Sequence, residues 1–520
     1  MQTLPITLLN WLLALSPIAV VLILMVRFRW GGVRAGPVGW FTAVLVAVRF
    51  FGAGPRLLAY SQLKGVLLTL YVLYIIWMAL VLYHVVDEAG AISVIGAGIA
   101  RLTGDRVMQL LILGWVFSSF LQGVAGFGVP IAVVAPLLIG LGFSPPLAVA
   151  AVAIGHSWSV TFGDIASSFQ ALIAATGLSG LQLAPWSAFF LGAACFGCGL
   201  ATAHLYQGSK GVRHALAGIV IIGVGMSLTQ YLLAVNGLWN LAGFVAGMVG
   251  LVIGAVVSRL PLYRGARPIP SLASAPGTAN MSLLLATAAY LILIIVVSAA
   301  ELYGPLHRLL NLVAVRVSFP ELVTAYGWHT VAGSGKAISL FGHAGALLAY
   351  TSLMAYGIYR AAGRYQPGTV GRILSRTLRS AVPSSIGIVS MVGFAVVMDH
   401  SGMTYLLAQG ISRTVGTAFP FFSPLVGTLG VFMTGSNTNS NVIFAPLQKS
   451  TAELVGLSVL VILGAQTTGG ALGSMLAPAK IIVGCSTAGL AGQEGQVLRR
   501  TLVYGLVIAA LIGLLAWLAA

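Results

Sequence analysis

Apolar runs of bilayer-spanning length recur along this chain and leave little room for anything else. Residues 8–26, 65–86, 186–206, 215–234, 239–257, 283–300, 382–398 and 502–518 contain no Asp, Glu, Lys or Arg. Each approaches the ~20 residues needed to cross a hydrocarbon core. Hydrophobic residues make up 59% of the 520 and charged residues only 7%, a balance that a soluble core cannot absorb. The expected fold is an all-α polytopic protein of the cell membrane with about 12–14 spans, counted loosely because interrupted helices blur the count. A large soluble domain has no stretch to occupy.

The net charge of +17 comes from 26 Lys and Arg against nine Asp and Glu. In a soluble chain that excess suggests nucleic acid. Here the basic residues sit mainly in short connections, as the positive-inside rule requires, so the bilayer is the partner and no nucleic acid is expected. Arg27, Arg29 and Arg34 follow the first run and place its C-terminal end in the cytoplasm. Arg360, Arg364, Arg372, Arg376 and Arg379 form the strongest basic cluster and also read as cytoplasmic. Residues 91–102, less apolar and carrying Arg101, are expected at the interface. Residues 337–359 read as a span, and so do 467–485. Cys195 and Cys198 form a C-x-x-C inside an apolar run, where small packing residues fit better than a redox pair; no cofactor is expected. The organisation read from these patterns is N-terminal spans over 1–62, a first repeat half over 63–258 and a Pro- and Arg-rich linker over 259–280. Intervening spans and the basic loop follow over 281–379, a second repeat core over 380–485 and a last span over 486–520.

Two runs are interrupted. The first ends in Gln122-Gly123-Val124-Ala125-Gly126-Phe127-Gly128-Val129-Pro130, and the second in Gly435-Ser436-Asn437-Thr438-Asn439-Ser440-Asn441. Glycine and proline end helices, one through backbone freedom and the other through its missing N–H. The freed N–H and C=O groups are tolerated at membrane depth only where protein or a water-filled cavity meets them. The two interruptions also correspond. Asp87 and Asp399, Gly90 and Gly402, Phe120 and Phe432, and Gly123 and Gly435 all share an offset of 312 (435 against 123). Ala135-Pro136-Leu137 matches Ala445-Pro446-Leu447 at 310 (446 against 136), which sets His156 opposite Gln466. Duplicated halves with helices broken at matching positions point to a secondary transporter's binding site. The charge placement reads as two inverted repeats, with broken or re-entrant helices at mid-membrane.

Residues 120–130, the polar motif 435–441 and Gln466-Thr467-Thr468-Gly469-Gly470 together resemble the lactate permease family, and the resemblance runs through most of the chain from about residue 63. It implies import of a small 2-hydroxymonocarboxylate, lactate or glycolate, with protons. This chain departs from the family pattern at four positions. Gln122 and Asn437 stand where the family usually has a glutamate and an aspartate. His156 stands for an asparagine, and Asp164 for a small residue.

A carboxylate substrate needs N–H donors and a favourable potential, which the N-terminal ends of half-helices supply. The expected substrate-binding residues are Gln122, Gly123, Gly126, Gly128, Ser436, Asn437, Thr438, Asn439, Asn441, Gln466, Thr467 and Thr468. The glycines allow close backbone approach, and the polar side chains can read a 2-hydroxyl. The bland alternative is a polar cluster that only satisfies a broken helix. For the coupling proton the candidates are Asp164 and His156, eight residues apart and on one face if the segment is a continuous helix. A charge at the bilayer centre costs ~2.5–3.5 kcal/mol on insertion scales, so it reads as functional by default. The amides at 122 and 437 also suit Na⁺ as the coupling ion. A membrane-embedded enzyme is the reading from another class, but no H-E-x-x-H or P-loop pattern supports one.

Overall fold

A computed structural model describes residues 5–28, 30–100, 102–124, 126, 128–263, 281–335, 337–490 and 493–520. Most of the expected linker, together with Arg101, Ala125 and Phe127, lies outside the described residues. Among the described residues, ten helices are long and apolar enough to cross a membrane, and Leu8–Leu24, Val129–Gly140 and Pro145–Ser157 are shorter apolar helices. One of the ten, Gly180–Val235, bends at Gln207 and Gly208, so it contains both runs expected at 186–206 and 215–234.

Two long helices pair across the molecule. Pro55–Glu88 and Thr369–His400 run antiparallel. At one end Ser61 and Lys64 meet the ring of His400 at 2.9 and 3.0 Å. In the middle Trp77 Nε1 donates to Ser385 Oγ at 2.9 Å. At the other end Arg376 pairs with Asp87 at 2.8 Å, and Arg372 pairs with Glu88. Each helix leads through a glycine of positive φ, Gly90 or Gly402, into a shorter helix, Ala91–Ala100 or Met403–Val415.

Next in each half comes a helical hairpin. In the first, Arg106–Val124 includes a π-helical stretch, Ile112–Phe117, and is followed by Val129–Gly140. Arg106 donates to the Leu141 carbonyl at 2.7 Å and lies over the Phe143 ring, so the chain returns to the level it left. In the second, Phe419–Thr434 turns at Gly435 into Asn437–Val455. Ser440 Oγ donates to the Gly427 carbonyl at 2.9 Å, and Gln448 Nε2 to the Ser423 carbonyl at 3.1 Å. The two sequence interruptions are the hairpin tips.

After each hairpin comes a helix that stops partway and starts again. Pro145–Ser157 gives way to a turn over 158–162 and resumes as Gly163–Thr176. Val459–Gly473 stops before Pro478–Thr487. Side chains meet the carbonyls freed at the first stop: Ser157 Oγ donates to Ala153 O at 2.7 Å and Ser159 Oγ to His156 O at 2.8 Å. This overturns the continuous helix that would have put His156 and Asp164 on one face. It also divides the run expected as one span at 467–485, because Pro478 has no N–H to carry the helix through.

Residues 314–339 correct another expectation. Three antiparallel strand pairs, Ala314–Val315 with Ile338–Ser339, Ser318–Phe319 with Gly333–Ser334 and Leu322–Val323 with His329–Thr330, make one narrow arm. The helix expected from 337 begins at Ala344, capped by the His343 ring, which accepts from Gly345 N. The arm packs its buried Phe319 and Leu322 inward and is tied down by the Ala325 N–H donating to Gly52 O at 2.8 Å.

Candidate functional site

Both hairpin tips and the first turns of both resumed helices line one small cavity. Its walls include Gln122 and Gly126 from the first tip, and Ser436, Asn437 and Thr438 from the second. Asp164, Ser167 and Ser168 come from one resumed helix, and Lys480 from the other. The free volume is about 30 Å³, room for roughly one water.

Asp164 is 5% exposed. Its carboxylate accepts from Ser167 Oγ at 3.2 Å and from the Gly126 N–H at the opposite tip. Asp164, Ile165 and Ala166 all have positive φ (50°, 50° and 60°). Non-glycine residues seldom hold this left-handed backbone, and such strain clusters at functional sites. Lys480, in the first turn of Pro478–Thr487, is 8% exposed and donates from Nζ to Ser474 Oγ at 3.0 Å. Asp164 and Lys480 each lie at the start of a resumed helix. Gly126 lies against Asp164, and Gly435 lies against Ala479, the neighbour of Lys480.

A polar belt joins the halves beside this cavity. Thr161 Oγ1 donates to the Thr467 carbonyl at 2.9 Å. Asn437 Nδ2 donates to Thr161 Oγ1 at 3.0 Å and to the Thr467 carbonyl at 3.3 Å. Asn441 Nδ2 reaches the Ser168 carbonyl and Thr467 Oγ1, both at 2.9 Å. Donation to carbonyls fixes which way both amides point. Their Oδ1 atoms, with Gln122 Oε1 and Asn439 Oδ1, are buried acceptors without a protein donor.

Other expected residues sit apart from the cavity. A Cβ on Gly123 would strike the Phe244 backbone, so this glycine serves close helix packing. Gly128, at φ +87°, lies against Val483. Gln466 bonds Ser440 and Gln448 within the second half. Thr468 Oγ1 donates to the Gly464 carbonyl on its own helix at 2.8 Å. His156, fully buried, donates from Nδ1 to the Val152 carbonyl at 2.6 Å and precedes the turn that leads to Asp164.

A second, wider cavity of about 630 Å³ lies at the far ends of the same helices. Lys64, Arg316 and Lys449 face Asp399 and Glu453 around it. The Ser168–Thr438 hydroxyl pair, 3.2 Å apart, and the Asn441–Ser168 bond lie between helices that run from one cavity to the other.

The sequence profile of the L-lactate permease family matches residues 10–520. The chain belongs to the L-lactate permease family. Its relatives include the glycolate permease GlcA of Escherichia coli (strain K12), 27% identical over 98% of this chain and 96% of its own length. The L-lactate permeases of Bacillus subtilis (strain 168) and E. coli K12 are 28% and 27% identical over the same shares. Among solved structures, the YdaH transporter of Alcanivorax borkumensis matches at 16% identity and a TM-score of 0.44, covering 85% of this chain and 84% of that one. As a member of this permease family with ten candidate spans, the protein is a multi-pass protein of the cell membrane. Lys480, Ser167 and Ser168 line the cavity of this permease-family chain without having been singled out in the sequence, and Lys480 is the charged one. Its signal was the one used for Asp164, a lone charge in an apolar stretch.

Proposed function

We propose that this protein is a secondary transporter that imports a small 2-hydroxymonocarboxylate, lactate or glycolate, together with protons. The observation that supports it most is the meeting of two hairpin tips and two resumed helices on one small polar cavity, in a chain whose relatives are named lactate and glycolate permeases. Four helix ends aim backbone dipoles at one place, an arrangement suited to a small ion held without water. The buried amide oxygens of Asn437 and Asn439 can accept from a 2-hydroxyl. Asp164 carries the coupling proton, since it is the acid in this cavity. The helix pairing supports inverted halves, because the corresponding helices Pro55–Glu88 and Thr369–His400 run in opposite directions. With the arginine cluster in the cytoplasm, the wide cavity faces outward, and the Ser168–Thr438 contact closes the route between it and the site.

Na⁺ in place of the proton is the second reading. It is favoured by the amides of Gln122 and Asn437 on the cavity wall, whose neutral oxygens suit a hard cation. One experiment separates the two. Purified protein in liposomes is given labelled L-lactate under an inward proton gradient in choline medium, and then under an Na⁺ gradient at equal pH. Accumulation in the first condition alone supports proton symport, and accumulation in the second alone replaces it with Na⁺ coupling. Counter-flow competed by unlabelled glycolate, lactate, acetate and dicarboxylates reads the substrate class. Exchange blocked by dicarboxylates and not by 2-hydroxymonocarboxylates contradicts the assignment.

A further inference from the structure

The cavity holds one buried ammonium and one buried carboxylate, and the transported ion brings a second carboxylate. We infer that Lys480 is the group that binds the substrate's carboxylate, and that it does so by giving up Asp164, so that substrate and proton enter as a pair. This rests on the reading of the cavity as the substrate site.

The reasoning starts from charge balance. Asp164 and Lys480 line the same small cavity, at 5% and 8% exposure. No other Asp, Glu, Lys, Arg or His lines it among the described residues. The remaining neighbours of Asp164 are neutral: Ser167 on its own helix, and Gln122 and the Gly126 N–H on the facing hairpin. His156 is the next titratable group along the chain, and its Nδ1 is already bonded to the Val152 carbonyl. With substrate absent, the two opposite charges offset each other across the cavity without direct contact, Lys480 Nζ resting on Ser474 Oγ and the Asp164 carboxylate on Ser167 Oγ. An isolated charge at this depth is costly, while a charge with a partner is tolerated. An incoming carboxylate finds one strong cationic donor, Lys480, whose Nζ has Ser474 Oγ as a neutral partner and can turn to a new acceptor. Once the ammonium pairs with substrate, the Asp164 carboxylate is left without a counter-charge and takes a proton from water. One anion and one proton have then entered, the only bond formed is the O–H of Asp164, made with the incoming proton, and the site is again neutral. Release runs the same steps backward: Asp164 loses its proton, regains Lys480 and displaces the anion.

Competition for one lysine has a signature that a structural salt bridge lacks. Removing the competitor must tighten substrate binding when Asp164 is ionised. The test is binding of labelled L-lactate, and of glycolate, to purified full-length protein at pH 6 and pH 8, with proton uptake read by an indicator dye in weak buffer. Wild type is expected to bind more weakly at pH 8 and to take up about one proton per anion bound. Asp164→Asn is expected to bind at least fivefold more tightly than wild type at pH 8, with no pH dependence and no proton uptake. Asp164→Asn/Lys480→Gln removes both charges, so a lone buried charge cannot spoil its folding. It is expected to lose at least tenfold in affinity against Asp164→Asn, and Asp164→Asn/Lys480→Arg to recover part of the loss. Equal affinity in Asp164→Asn with and without Lys480 overturns the assignment of Lys480. No tightening in Asp164→Asn overturns the competition. Wild type that binds neither anion at either pH overturns the substrate reading itself, and the inference with it.

Discussion

Thr161 is where the two halves touch most closely in chemical terms. Its hydroxyl accepts from Asn437 Nδ2 and donates to the Thr467 carbonyl. Thr161→Val keeps the shape and removes both bonds, each worth about 1 kcal/mol net. The expected result is a rise of roughly five- to thirtyfold in KM for lactate uptake, with the protein still folded. His156 gives a contrasting prediction. Its ring serves the carbonyl one turn back on its own helix and does not line the cavity. His156→Gln is therefore expected to keep pH-driven accumulation within about twofold of wild type, read in the same liposome assay. Asp164 was legible in the sequence as a lone intramembrane acid. Lys480 was equally visible as a residue, but its role depends on the stop before Pro478, which brings it into the cavity. Pro478 was the sign of that stop, but the run over 467–485 was read straight through it. The polar motif at 436–441 contributes Ser436, Asn437 and Thr438 to the small cavity, but its residue types did not tell Asn437, which lines the cavity, from Asn441, which ties the helices together.

The hairpins and interrupted helices fit closely because small residues let backbones meet. Gly427 lies against the Gln466 carbonyl, and Gly469 against Pro424. Gly427→Val forces these helices apart and is expected to cost about 1–3 kcal/mol through overpacking, seen as a lower Tm in detergent. Gly177→Ala, at φ +72° in open space, is expected to cost only about 1 kcal/mol from backbone strain. The pairing of the two long helices has its own test. A Cβ on Gly65 would sit 3.3 Å from the Gly393 Cα, so Gly65→Cys/Gly393→Cys is expected to cross-link under mild oxidation. The native cysteines are buried and leave the background low. These helices were readable as spans from their apolar runs, and the two breaks were readable from glycine and proline. Whether each break was a broken or a re-entrant helix was left open by the sequence, and the hairpin form is what the structure adds. It rests on contacts such as Arg106 with Leu141 O, which join residues far apart in sequence.

At the scale of the whole molecule, the site lies between two halves with matching elements in matching order: long helix, short helix, hairpin, interrupted helix. The constant offset of 312 is the sequence sign of a duplication, and the antiparallel course of the two long helices is in keeping with the inverted halves proposed above. The arm at 314–339 has no counterpart in the first half, and its short strands carry no hydrophobic period long enough to be read from sequence. Sidedness makes a further prediction. A membrane-impermeant thiol reagent applied to intact cells is expected to label Arg316→Cys at the wide cavity and to leave Gln366→Cys, beside the arginine cluster, unlabelled. The reverse pattern would invert the topology and turn the wide cavity toward the cytoplasm.

The most direct test of the account asks whether substrate occupies the space between the hairpin tips. Ser436→Cys places a thiol on the wall of the small cavity, and its rate of modification by a small thiol reagent can be followed in liposomes with and without L-lactate. Saturating lactate is expected to slow the reaction at least fivefold, with half-protection near the KM of transport. An unchanged rate at saturating lactate, in a variant that still transports it, would contradict the placement of the substrate site.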